Sequence, residues 1–515
     1  MAESRVLCLG LAALLGLALA AVVWPPSFLL GDAARFHSFV FPNDAIDYRL
    51  AWQALVDRGR PWPSLWTDMF NYPRGFPISL MDGLPLAATL FRPFVAWLPA
   101  DFHYFGLWHA VAVVLQAVAG AVFARAAGVR HVLPCLAAAA FALAMPIFVG
   151  RLNWTHVALS TQGLLILALA LCIHTSRTRP TLRFVVPRAA ALSLVALAVH
   201  PLLALQVLFF CLLATATSND RAWPRVAAVA GLCLLFAALC QILGLFEAES
   251  FRARRGLGAF GLSPWGMLVG ERDSLREMYA APGPGIEQDA WLGWGCVLLL
   301  AVGVVFRPQL RIVRRHRPLA AAIGVLAIIA ISPWVRLGTS VFDLSFLFPE
   351  AVIDLYAVHR ATVRLAWPLV ICLSLLALVH LVVAWPRRRA IPVLGFAFAL
   401  QIYSTWPYWA HEYREARAPI TIPAPLPDAL EGGSVLVLLE KPASAMLYRT
   451  YAMYLAVESG IPFNGGRFSR PPQSEPLRLD QGGVRYLVPV QSPLPRTVDP
   501  TTCVEWEKLL VCSGR

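Results

Sequence analysis

Residues 84–99 read LPLAATLFRPFVAWLP, an apolar run interrupted by Arg92-Pro93. A membrane-crossing helix needs about 20 apolar residues. Proline also removes a backbone donor from a helix interior. Counting this run as a span would invert every later loop of the chain. It is therefore read as a re-entrant or interfacial helix. Irregular backbone at membrane depth survives only when buried in protein or lining a cavity.

The loops on either side test that choice. Helices are expected at about 6–24, 104–124, 131–150, 155–174, 186–199, 201–217, 224–246, 290–306, 318–336, 363–384 and 391–406. With a cytoplasmic N-terminus, five arginine-rich turns then fall on the cytoplasmic side. They are RAAGVRH (125–131), HTSRTRPTLRFVVPR (174–188), SNDRAWPR (218–225), RPQLRIVRRHRP (307–318) and PRRR (386–389). This is the positive-inside pattern. His200-Pro201 divides two short spans and reads as a tight hairpin near the outer face. The N-terminal MAESRVLCLGLAALLGLALAAVVWPP reads as a retained signal anchor rather than a cleaved peptide.

Composition agrees. The chain has 515 residues, of which 58% are hydrophobic and only 14% charged; soluble domains carry about 25% charged residues. Mean hydropathy is +0.63. The formal net charge of +13 comes almost wholly from arginine. In a membrane protein that excess fixes topology, so nucleic acid is not an expected partner. Of ten cysteines, eight sit in apolar runs and act as small hydrophobes. Cys503 and Cys512 lie in a polar tail, where either a disulfide or two free thiols would fit. No CxxC pair or zinc spacing occurs.

Eleven spans place three long segments on one outer face: 25–103, 247–289 and 407–515. Segment 337–362 joins them. The tail changes character. GSVLVLLE (433–440) and GVRYLVPV (483–490) read as strands, and ASAMLYRTYAMYLAVESG (443–460) as a helix between them. The expected fold class is an α-helical polytopic membrane protein with about 11 transmembrane helices and a small C-terminal α/β extracytoplasmic domain. The division is 1–406, including the outer loop 25–103, and 407–515.

The outer loop holds the chemistry-bearing acids. Asp44 and Asp47 stand in FPNDAIDYRLAWQAL (41–55), followed by Asp68 and by Asp82 in LMDGLP. Asp44 has two readings. It is an N-cap of the helix that begins there, or a carboxylate at a low-dielectric boundary, where a raised pKa suits proton abstraction. Asp47, one turn on, shares that face. Trp52, Trp62, Trp66, Tyr72 and Trp97 fit the membrane interface or stacking on sugar rings. Arg252, Arg254 and Arg255 in EAESFRARRGLGAFGLSPWGML, and Arg360 and Arg364 in YAVHRATVRLAWP, break the positive-inside trend. Guanidinium groups suit bidentate phosphate contact, and they equally suit snorkelling to headgroups or pairing with Asp343, Glu350 or Asp354. His156 in GRLNWTHVALSTQ sits at an outer helix end, where a structural role and a substrate contact are both open.

The layout resembles the GT-C superfamily of membrane glycosyltransferases, in a bacterial family of that type. DAIDYRLAWQAL, NYPRGFPISLMDGLPLAATLFRPFVAWLP, DFHYFGLWHAVAVVLQA, GRLNWTHVALSTQ, HPLLALQ, HRATVRLAWP and MLYRTYAMYLAVESGIPFNGGRFSR carry it. The resemblance implies a polyprenyl-phosphate-linked sugar donor and a cell-envelope glycan or lipid acceptor. It also implies a bacterial inner-membrane location. By position the first-loop acid maps onto Asp44, with Asp47 its rival, and the outer arginines would hold the donor phosphate, with Asp82 and His156 nearby. Many GT-C members carry adjacent acids in that loop, whereas two residues separate Asp44 from Asp47. A divalent metal is left open. Two other classes remain: a polysaccharide or lipid export component, and a non-catalytic lipid-binding scaffold. Proton-coupled transport would need charged residues inside the spans, and the span centres are nearly uncharged.

Overall fold

A computed structural model describes residues 2–31, 46–81, 83–99, 102–153, 156–247, 261–264, 266–268, 290–306, 316–337, 340–358, 361–417, 430, 435–438, 445–464, 484–489, 500–506 and 509–513. After a one-turn helix at Pro26–Leu29 is set aside, the helices are α1 (Ala2–Val23), α2 (Ile46–Arg58), α3 (Pro85–Phe91), α4 (Phe105–Ala126), α5 (Val132–Leu143), α6 (Pro146–Asn153), α7 (Gly163–Thr178) and α8 (Leu182–Val199). They continue with α9 (Pro201–Ala216), α10 (Ala222–Ile242), α11 (Trp294–Phe306), α12 (Arg317–Ile331), α13 (Glu350–Val358), α14 (Trp367–Ala384), α15 (Arg387–Glu415) and α16 (Ala445–Ser459).

The chain is a multi-pass membrane protein. Among the described residues, five helical segments are long and apolar enough to cross a bilayer: Arg5–Val23, Phe105–Ala126, Leu182–Val199, Ala222–Ile242 and Thr362–Ala384. The number is six if the bent pair α5–α6 forms one span. Four further apolar helices are shorter. Every expected span overlaps a helix, with corrected bounds. The run 131–150 is two helices meeting at 50°, because Pro146 opens a new helix and cannot continue the old one. Residues 156–162 are turn, so the next helix starts only at Gly163. The helix expected to reach 336 stops at Ile331, where Ser332 adopts φ +63° before Pro333. A hairpin follows, pairing Trp334 with Asp343 and Leu337 with Ser340. At the other extreme, α15 extends to Glu415, well beyond the expected 406.

α4 is the hub of the bundle. Its most apolar window is 67% buried, against 17% for α10. Small residues allow close approach. A Cβ on Gly16 of α1 would stand 2.8 Å from Val114 Cα, and one on Gly120 would stand 2.7 Å from the Ala138 carbonyl oxygen. In lipid, such backbone-to-backbone packing holds helices together where no hydrophobic effect operates between them.

The connections sort into two ends. At one end, Ser79 Oγ donates to the Leu243 carbonyl, Arg74 pairs with Glu247 at 2.7 Å, and Thr362 Oγ1 donates to the Ala330 carbonyl at 3.1 Å. Arg417 Nη1 donates to the Val23 carbonyl at 2.6 Å, capping α1. At the opposite end, Arg177 donates to the Ala126 carbonyl at 2.7 Å, and the Leu182 N–H donates to Asp220 Oδ2 at 2.7 Å. The first set joins segments expected outside, the second joins arginine-rich turns. Residues 84–99 form α3 and a 3-10 helix, Arg92–Trp97, rather than one spanning helix.

The tail sheet has strand order β1-β2-β4-β3, with β1 Val435–Leu438, β2 Val484–Pro489, β3 Val504–Trp506 and β4 Leu509–Ser513. β1 and β2 are parallel, and the chain between them passes through α16. The β3–β4 hairpin is closed by a Cys503–Cys512 disulfide. α16 and the residues after it pack against α2 and the loop that follows it through four polar links. Arg49 pairs with Glu458 at 3.0 Å, and Arg58 Nη2 donates to the Gly460 carbonyl at 2.7 Å. The Phe463 N–H donates to the Met69 carbonyl at 2.8 Å, and the Tyr72 N–H donates to the Phe463 carbonyl at 3.1 Å.

Candidate functional site

On α2, Ile46, Asp47, Tyr48, Leu50, Ala51, Trp52, Ala54 and Leu55 are buried, while Arg49, Gln53 and Val56 are half-buried and Asp57 and Arg58 exposed, so the helix keeps one wetter face. Asp47 stands in the first turn, where the helix dipole favours a carboxylate. It is 7% exposed, and its Oδ1 is shielded from solvent. A buried carboxylate is costly unless it is held or used.

The neighbouring Tyr48 ties the start of α2 to the rest of the bundle. Its ring packs on Phe105 at 5.6 Å, and its hydroxyl accepts from the Ala158 N–H at 3.3 Å. Ala158 belongs to the turn after the bent pair α5–α6. The turn is tied down by His156 N–H to the Arg151 carbonyl at 3.2 Å and by Ser160 N–H to the His156 carbonyl at 3.1 Å. Trp108 Nε1 donates to Thr161 Oγ1 at 3.1 Å, and Gln162 Nε2 to the Ile147 carbonyl at 2.9 Å.

Arg151, on α6, is 1% exposed. Its guanidinium lies over the Trp367 ring, 6.0 Å from the centroid. Trp367 begins α14, three residues after Arg364, whose carbonyl accepts from Gln206 Nε2 at 3.2 Å. Tyr48 thus ties α2 to the His156 turn, and Trp367 ties Arg151 to the segment that carries Arg364. The segments that carry Asp47, Arg151, His156 and Arg364 are joined at one end of the bundle.

Of the residues singled out from sequence, Asp47, His156 and Arg364 lie at this end. Asp44, Asp82, Arg252, Arg254, Arg255 and Arg360 lie outside the described residues. Sequence reasoning passed over Arg151, although a charge flanked by apolar residues near a span end is itself a signal. It also passed over Glu412, 1% exposed, which accepts from Trp24 Nε1 at 3.4 Å. Among the described residues no group of three His, Cys, Asp or Glu side chains is placed to hold a metal ion.

Residues 13–406 match the sequence family described as a domain of unknown function, DUF6311. The chain belongs to the DUF6311 family. No curated protein matches it. Among solved structures, this DUF6311 chain is similar to arabinofuranosyltransferase AftD from Mycobacteria, with a TM-score of 0.51 at 17% identity. The match covers 93% of the chain and 36% of AftD. The DUF6311 chain therefore shares the fold of part of AftD and spans about a third of its length. The Archaeoglobus fulgidus oligosaccharyltransferase aligns over 88% of this chain and 62% of its own, at 12% identity with a TM-score of 0.35. AglB from the same organism, in complex with an inhibitory peptide and a dolichol-phosphate, covers 90% of this chain and 65% of its own at 13% identity and 0.37. Those two scores are too low to establish a common fold.

Proposed function

We propose that this DUF6311 protein is a membrane glycosyltransferase. It transfers a sugar from a polyprenyl-phosphate-linked donor to a cell-envelope glycan or lipid on the outer face of a bacterial inner membrane. The observation that carries the reading is the buried Asp47 carboxylate next to Tyr48, whose hydroxyl is bonded to the broken-helix turn at the end that holds Arg151, His156 and Arg364. The fold shared with part of an arabinofuranosyltransferase supports it.

The chemistry is an inverting displacement. A carboxylate, Asp44 or Asp47, takes the proton from an acceptor hydroxyl. The acceptor oxygen bonds to the anomeric carbon as the bond from that carbon to the phosphate oxygen breaks. The polyprenyl phosphate leaves with the bonding pair. Arginine neutralises the charge that grows on it, usually the largest catalytic contribution. Arg364 serves this role, together with Arg360 or the Arg252, Arg254 and Arg255 group. Asp82 and His156 orient the sugar or acceptor.

The topology that goes with this reading has eleven spans, a cytoplasmic N-terminus and an extracytoplasmic C-terminus. The shorter apolar helices then cross as members of the bundle. The units are 1–406 and 407–515, the second placing the acceptor. The two-ended sorting of loops and the disulfide in the tail support that sidedness. The test is complementation of a deletion strain with Asp44→Asn and Asp47→Asn, scoring surface glycan and lipid-linked sugar. The expected result is lost glycan and accumulated donor with one of the two variants at normal protein level. Full glycan with both would overturn the assignment.

A further inference from the structure

The end of the bundle opposite Asp47 holds a cavity of about 490 Å³ between α1, α4, α7 and α8. Four of its lining residues are basic: Arg5, Arg125, His174 and Arg188. The rest are apolar, and among the described residues no acid lines it. Arg125 Nη1 is buried with no hydrogen-bond partner among the described residues. Arg188 spends one donor on its own helix, the Phe184 carbonyl at 2.7 Å, and stacks on the Phe184 ring at 3.7 Å. Arg5, Arg177 and Arg188 all act electrostatically on the His174 ring. Four basic groups on a largely apolar wall, with no acid among the described lining residues, suit an anion.

The place says which anion. α1 and Leu182–Val199 are peripheral helices, 28% and 33% buried, so the cavity lies where lipid can enter. A free phosphate would satisfy the arginines and leave the apolar wall, including Leu171 and Leu192, in water. A phospholipid satisfies both. Basic pockets between helices at the arginine-rich side of a membrane protein suit anionic headgroups, and planar guanidinium groups suit phosphate oxygens. We propose that this cavity is a binding site for one anionic glycerophospholipid of the leaflet that the arginine-rich turns face. The headgroup phosphate lies on Arg5, Arg125, His174 and Arg188, and an acyl chain lies along the wall of Leu171 and Leu192.

The full-length protein, purified in mild detergent, is extracted for lipid and its thermal midpoint is read with added phosphatidylglycerol, phosphatidylcholine or inorganic phosphate. The expected result is about one retained anionic phospholipid per chain and a midpoint raised by phosphatidylglycerol alone. Arg188→Gln and Arg5→Gln each remove a charge on which no other helix depends, and together they reduce retention about tenfold or more. Ala191→Phe, which fills the cavity and keeps every charge, displaces the lipid too. Retention unchanged in the double variant overturns the site. So does equal stabilisation by phosphatidylcholine, or by inorganic phosphate, or recovery of a polyprenyl phosphate in place of the glycerophospholipid.

Discussion

Arg151 illustrates what a single side chain does in this fold. A guanidinium at 1% exposure is tolerated only if it is paired, and its placement over Trp367 adds a cation–π contact. Lysine cannot reproduce the planar fork. Arg151→Lys is therefore expected to keep the fold, read by unchanged size-exclusion behaviour, and to lose tenfold or more in sugar transfer. Arg151→Ala removes a buried side chain from over the Trp367 ring and should cost about 0.5–3 kcal/mol of stability, visible as a lowered thermal midpoint. Asp57, at the far end of α2, poses a pH question. Desolvation raises its carboxyl above 3.8, the Glu458 charge adds to that, and the Gln53 hydrogen bond and Arg58 oppose it. An acid whose pKa is raised by folding binds its proton more tightly in the folded chain. Stability is then greatest below the unfolded pKa and declines as pH rises through the folded one. Asp57→Asn should flatten that decline above pH 3.8 and raise the midpoint at neutral pH slightly, since the side chain keeps solvent contact. A midpoint lowered at pH 7 would contradict this.

Among elements, closeness of approach decides. Gly16 lies where a side chain would meet the α4 backbone, with Val114 Cα 2.8 Å from an added Cβ. Gly10, one stretch earlier on α1, has nothing within 4 Å. Gly16→Leu should thus lower the thermal midpoint by an amount fitting about 1–3 kcal/mol of overpacking, and Gly10→Leu should not. Equal effects would place α1 elsewhere. The α2–α16 contact is subject to a separate check. Arg49 and Glu458 are 13% and 31% exposed, so a double-mutant cycle with Arg49→Gln and Glu458→Gln should give a coupling near 1 kcal/mol. Elements with their own periodicity were readable from sequence: the strand, helix and strand of the tail are found at 435–438, 445–459 and 484–489. The break at Ala144–Pro146 was not read, although proline announced it, because the composition of 131–150 is uniformly apolar on both sides. The extension of α15 was missed for the opposite reason. YSTWPYWAHEYRE is polar and aromatic, and what keeps it helical is tertiary: Trp24 against Glu412 and Arg417 on the end of α1.

For the whole molecule, the expected sidedness rests on arginine distribution, a global property that survives local errors in helix bounds. Asp47, His156 and Arg364 were named from loop composition, whereas the turn that carries His156 follows a 50° helix bend that no local pattern encodes. The expected sidedness also rests on how residues 84–99 lie. If α3 and its 3-10 continuation turn back at the outer surface, Trp62 before them and Trp97 at their last position are on one side of the membrane. Both are exposed, at 57% and 79%. Asn219, in an arginine-rich turn, is on the other. Single cysteines at these positions, in a chain with Cys233→Ser, can be labelled in intact cells by a maleimide that does not cross membranes. Trp62→Cys and Trp97→Cys should both react and Asn219→Cys only after permeabilisation, with Cys503 and Cys512 unreactive until reduced. Reaction of Trp62→Cys without Trp97→Cys would make 84–99 a true span. Every later turn would then change sides, and the arginine-rich lipid cavity would face the outer leaflet.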